Sequence, residues 1–83
     1  MHMKKLGGMM EININKYEPK DVIRFMREAT NLSQKAFAES IGKKEDWTRK
    51  NEYGITNYYF KDLVQLAKIH GFTITIKKNE KEK

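Results

Sequence analysis

A mainly α domain of about four helices, with short β-strands near its two ends, is the fold this chain predicts. Three observations lead there. Apolar residues recur at three- and four-residue spacing over Pro19 to Thr30, Ser33 to Ile41 and Tyr59 to His70. Glycines follow those runs and the short polar stretch between them, at Gly42, Gly54 and Gly71. Two stretches, Glu11 to Asn15 and Phe72 to Lys77, alternate polar and apolar residues in period two.

The elements follow in order. Met1 to Gly8 carries little to pack and breaks at Gly7-Gly8, so residues 1–10 are expected to form a flexible leader. Met9 or Met10 could serve as the natural start, with Met1-His2-Met3 a cloning remnant. Residues 11–78 form the single domain and 79–83 a charged tail. Ile12 and Ile14 fall on one side of the EININ stretch, a short strand signal. Pro19 suits the first turn of a helix, where its missing N–H would have no partner anyway. That helix runs to about Thr30, with Val22, Ile23, Phe25, Met26 and Ala29 as its apolar stripe and Arg24, Arg27 and Glu28 off it.

Ser33 is placed as an N-cap for the second helix, and Leu32 stands in the staple position before it. Phe37, Ala38 and Ile41 face the core, and Gly42 permits a sharp turn. A third helix, about Lys44 to Asn51, has only Trp47 as a large apolar residue and depends on its neighbours for stability. The fourth, about Tyr59 to His70, repeats Phe60, Leu63, Val64, Leu66 and Ala67 at helical spacing. Phe72, Ile74 and Ile76 then alternate with Thr73, Thr75 and Lys77 as a strand.

Composition narrows the function classes. Eighty-three residues leave little room for a buried substrate cavity beside a core. Without cysteine there is neither a disulfide framework nor a thiolate metal site. The chain shows no membrane-length apolar run and no signal-peptide pattern, so a cytoplasmic location is expected. No Ser/His/carboxylate constellation and no Gly-rich phosphate loop is present, so neither catalysis nor a cofactor is expected. His70, at a helix C-terminus, reads as a capping cation rather than a metal ligand, because the other histidine is His2. A net charge of +6 favours a polyanionic partner. Between Asn31 and Gly54, however, five basic residues (Lys35, Lys43, Lys44, Arg49, Lys50) face four acids (Glu39, Glu45, Asp46, Glu52). Much of the surplus sits at Lys4, Lys5, Lys77, Lys78, Lys81 and Lys83.

Asn31 to Gly54 has the layout of a helix-turn-helix. The run L-S-Q-x-x-F-A-x-x-I-G from Leu32 to Gly42, E-x-G at Glu52 to Gly54, and F-x-x-L-V-x-L-A-K-x-x-G from Phe60 to Gly71 resemble the Cro/CI-type (XRE-type), lambda-repressor-like DNA-binding domains. The resemblance covers about Pro19 to Gly71. It implies a sequence-specific regulator of transcription, bound to double-stranded DNA with its third helix in the major groove and acting by operator occupancy. It also implies that Gln34 bonds a phosphate and braces the third helix. Lys44, Glu45, Asp46 and Arg49 would then face base edges, and Lys43, Lys50 and Tyr53 would lie near the backbone. The chemistry fits those roles: Arg pairs with guanine, carboxylates accept from cytosine N4 and lysines hold phosphates. Lys43 departs from the family's pattern after the turn glycine, where an aliphatic residue is usual. Thr48 and Asn51 stand at core positions, and Trp47 replaces a small polar residue.

Plainer readings stand beside these. Gln34 is an ordinary first-turn polar residue, Arg49 a surface partner of Glu45 or Asp46, and Trp47 a packing residue or a contact to DNA or a partner. Tyr53, Tyr58 and Tyr59 either stack on bases or close the core around their loop. The terminal strands pair with each other, Ile12–Ile14 on Ile74–Ile76, or Phe72, Ile74 and Ile76 pair across a homodimer. The alternative function is an antitoxin-like or other protein-interaction module, which exposure of Trp47, Phe72, Ile74 and Ile76 would favour.

Overall fold

The computed structural model describes residues 3–6, 9–13 and 17–76, the first two stretches as backbone. Helix α1 (Pro19–Thr30) opens on proline and closes at Asn31, which takes the left-handed conformation at φ 63°. In α2 (Gln34–Glu39) the Ser33 hydroxyl accepts the Ala36 N–H at 3.0 Å, the cap its position predicts. The chain then turns through Gly42 at φ 75°, and the Lys43 N–H closes on the Ala38 carbonyl at 2.9 Å. Helix α3 (Glu45–Glu52) follows, with Lys44 as its N-cap. Helix α4 (Phe60–His70) begins where the Asp62 carboxylate accepts the Tyr59 N–H at 3.3 Å. It ends at Gly71, whose φ of 79° would strain any side chain.

The core lies between α1, α2 and α4. Val22, Ile23 and Met26 meet Phe37, Ile41, Leu63, Leu66 and Ala67, with Phe72 closing one end. Leu32, Trp47, Tyr17, Tyr58 and Ile74 pack around it, half-buried. Some expected stripe positions differ. Ala29 and Phe60 are exposed, and Val64 and Phe25 are half-buried, Phe25 lying edge-on to Tyr17 with ring centroids 5.8 Å apart. All four lie at the margins of a stripe, where helical spacing runs past the arc that neighbouring elements cover.

Strands β1 (Met3–Leu6), β2 (Met9–Asn13) and β3 (Phe72–Thr75) form one sheet in the order β1-β2-β3. The pairing of β2 with β3 is parallel and sets Ile12 beside Ile74, the intrachain alternative open in the sequence. The leader expected over residues 1–10 is corrected: β1 and the start of β2 fall within it, antiparallel, with Leu6 opposite Met9. A strand lying on β3 has a second edge of backbone donors and acceptors to satisfy, and the chain immediately before it does so. The Gly7-Gly8 break that suggests a leader's end is equally the dipeptide signal of a two-residue hairpin. The last strand stops at Thr75, with Ile76 exposed beyond it, while Ile14, Asn15, Lys77 and the 79–83 tail lie outside the described residues. No described helix is long and apolar enough to cross a membrane.

His70 joins α4 to α2 and is not the helix-end cation its position suggests. Its ring stacks on Phe37 at 5.5 Å, and its Nε2 lies 3.0 Å from Ser40 Oγ. Because the Ser40 hydroxyl donates to the Phe37 carbonyl at 2.6 Å, it accepts from the imidazole N–H. Burial pushes the His70 pKa down, so the neutral ring is the native form at neutral pH. A base with a folded-state pKa below its unfolded value binds more protons when unfolded, so its contribution is whole above the unfolded pKa and is lost as pH falls through the folded one. Urea denaturation should show stability falling as pH is lowered from about 7.5 to about 5.5, a component that His70→Gln abolishes. Equal slopes in both proteins would refute the assignment.

Candidate functional site

The site to be judged is the α2–turn–α3 unit, and α3 is an unusual helix to hold in place. Its inward face is polar: Thr48, Asn51 and Glu52 are all buried, at 0%, 2% and 3% exposure. Thr48 Oγ1 donates to the Gln34 carbonyl at 2.9 Å, tying α3 to the first turn of α2. Asn51 Nδ2 donates to the Trp47 carbonyl at 2.7 Å within α3. Trp47 turns inward and packs against the core, half-buried.

Glu52 is the centre of the arrangement. Arg27 of α1 forks onto its carboxylate, Nε to Oε2 and Nη2 to Oε1, the latter at 3.1 Å. Gln34 Nε2 donates to the same Oε1 at 3.2 Å, and Arg24 Nη2 donates to the Glu52 main-chain oxygen at 3.1 Å. A third guanidinium nitrogen of Arg27 reaches the Leu32 carbonyl at 3.2 Å, just before α2 begins. Pairing with Glu52 raises the Arg27 pKa further. Three helices thus meet on one carboxylate whose side chain is 4% exposed.

In the sequence reading Arg24 and Arg27 are only polar residues off the α1 stripe, and Glu52 is a motif residue counted among the acids offsetting the unit's surface charge. A signal exists nonetheless. Thr48, Asn51 and Glu52 share one face at i, i+3 and i+4 spacing, and a carboxylate on an inward face demands a cation. Arg24 and Arg27, one turn apart at the edge of the α1 stripe, supply two.

The residues expected to meet DNA divide into two groups. Gln34 is half-buried and its amide braces Glu52. Asp46, Arg49, Lys50 and Tyr53 lie on the side of α3 away from Thr48, Asn51 and Glu52. There Asp46 bonds Arg49 through Oδ1 and Lys50 through Oδ2, the second at 3.1 Å. Both cations hold its carboxyl below the usual carboxylate range. Glu45 and Lys44 are exposed at the start of α3, and Lys43 is half-buried in the turn. Lys35 and Glu39 pair at 3.5 Å along α2. Tyr53 and Tyr59 are exposed, at 63% and 71%. Tyr58 instead donates its hydroxyl to the Pro19 carbonyl at 3.1 Å, and burial pushes its phenol up to about 12. Among the described residues no cluster of His, Asp or Glu is placed to hold a metal ion.

Removing one partner of the Arg27–Glu52 pair leaves the other charge uncompensated. Glu52→Ala should lower unfolding free energy by about 3 kcal/mol, read from urea denaturation. The double variant Arg27→Met/Glu52→Leu, with both charges gone, should recover most of that loss. A double variant no more stable than Glu52→Ala would show that the penalty is not an orphaned charge. No protein-family model, curated protein or solved structure matches the chain.

Proposed function

We propose that the chain is a Cro/CI-type helix-turn-helix regulator that binds double-stranded DNA with α3 in the major groove. The observation that carries this reading is the division of α3 into two polar faces. One is buried and pinned to α1 and α2 through Glu52, Thr48 and Gln34. The other presents Asp46, Arg49, Lys50 and Tyr53 to solvent, with Lys44 and Glu45 at the helix start. A helix buried through polar contacts while its cations face outward is suited to being held rigid before a polyanion. Arg49 and Asp46 carry groups that match guanine and the cytosine amino group, and Lys43, Lys44 and Lys50 supply salt-sensitive attraction to phosphates. Gln34, engaged with Glu52, serves chiefly as the brace between α2 and α3.

The functional unit is a homodimer formed along β3. Among the described residues β3 has a strand neighbour on one side only, and a strand at the end of a sheet can be extended by a second copy. Phe72 belongs to the core and Ile74 packs against it, so β3 contributes chiefly its backbone, with the exposed Ile76 just beyond it. Binding at two half-sites requires the two α3 helices of such a dimer to lie about one helical turn of DNA apart, roughly 34 Å.

A protein-binding role is favoured by a different observation. Tyr53, Ile55, Tyr59 and Phe60 are all more than half exposed around the connection from α3 to α4. Trp47 and Phe72, whose exposure would argue for the same role, are packed against or within the core.

Titration of duplex DNA at about 50 and about 200 mM salt separates the two. The regulator binds at the lower salt and loses affinity steeply at the higher, and Arg49→Ala weakens binding in a sequence-dependent way. Absence of binding by the wild-type protein at low salt would overturn the DNA reading. Sedimentation at tens of micromolar should show a dimer, and a monomer there would refute pairing along β3.

A further inference from the structure

The outward face of α3 is not a free row of cations. Asp46 is half-exposed and lies one turn before Arg49 and Lys50, and it engages both at once, one on each carboxylate oxygen. The two residues best placed to meet DNA are therefore neutralised in part by a third on the same face. Exposed pairs of this kind are weak, so they exchange readily for better partners. Their effect on an approaching polyanion is nevertheless large, because the carboxylate travels into the groove with them.

We propose that Asp46 is a specificity-determining residue, which restrains Arg49 and Lys50 from indiscriminate phosphate binding and releases them where the groove offers its carboxylate a base amino group. The proposal rests on the reading of α3 as the DNA-facing helix. Non-specific affinity comes from cations displacing counterions at phosphates, and a carboxylate among those cations subtracts from it. In the major groove, cytosine N4 and adenine N6 donate hydrogen bonds, whereas guanine O6 and N7 and thymine O4 accept them. A carboxylate set against acceptors is desolvated and repelled. Set against an amino group it is satisfied, and the guanidinium it held turns to guanine O6 and N7. Asp46 thus penalises wrong sequences more than it strengthens right ones, which is discrimination by repulsion. The preferred site places a guanine beside a position where the base edge nearest Asp46 is cytosine or adenine rather than guanine or thymine.

The test compares the wild-type chain with Asp46→Asn, checked for folding by circular dichroism, on a randomised duplex pool. Asparagine keeps the size of the side chain and removes the charge. Asp46→Asn should bind the unselected pool about tenfold more tightly at low salt, with a salt slope steeper by about one. Sequences enriched by the wild type should lose most of their advantage over the pool. Asp46→Ala, which also lacks the charge, should show the same gain in pool affinity. Unchanged pool affinity and unchanged enriched sequences in both variants would overturn the role of Asp46 while leaving DNA binding intact. If neither wild type nor variant retains the pool at low salt, the DNA-binding reading falls and this proposal falls with it.

Discussion

The helical body of this protein depends on one buried carboxylate. Glu52 closes α3, and the groups that satisfy it come from α1 and α2, so each of the three helices is positioned by a bond the other two help to make. Apolar packing alone would not do this. Trp47 is the only large apolar side chain of α3, and it sits at the edge of the core. Hydrogen bonds to a charged group are directional and short-ranged, so they fix rotation and register where oily contacts would tolerate sliding. The ion pair is better understood as a device of geometry than as a large net source of stability, because both partners give up hydration to form it.

This arrangement also changes where charge resides. Counted along the sequence, Glu52 cancels a surface cation of the α2–α3 unit. In the fold it is spent inside against Arg27. Lys35 and Glu39 answer each other on α2, and the remaining balance at the outer face of α3 is decided by Asp46, Arg49 and Lys50. A linear tally of charge therefore misjudges the face, since burial removes some groups from the count and pairing mutes others.

Much of the fold was legible in the sequence because it is written in local chemistry. Ser33, Pro19, Gly42 and Gly71 act within a turn of where they stand, and helical spacing identified Val22, Ile23, Met26, Phe37, Leu63 and Leu66 as core. Long-range polar pairing was less legible. Arg27 and Glu52 lie far apart along the chain, and neither type of side chain announces that it is buried. The part of the hairpin before Glu11 reads as a leader because Lys4 and Lys5 obscure any alternation, while the need that β2 creates appears only once β3 lies beside it. Of the candidate site, the outward residues of α3 follow from helical phase. The bond from Gln34 to Glu52 and the double engagement of Asp46 depend on rotamers, which spacing does not specify.

The parallel register of β2 with β3 has a consequence for how the chain assembles. Parallel neighbours cannot be joined by a tight turn, and here the connection contains the four helices. Closing so long a loop from an unfolded chain loses considerable entropy, and helices that have already packed shorten the gap. The sheet is accordingly a late-closing clasp laid over a body that forms from nearer contacts. Opening it between β2 and β3 leaves Phe72 in the core, and a β1-β2 hairpin released from one molecule can pair with β3 of another, so strand exchange between copies is a route this topology leaves open.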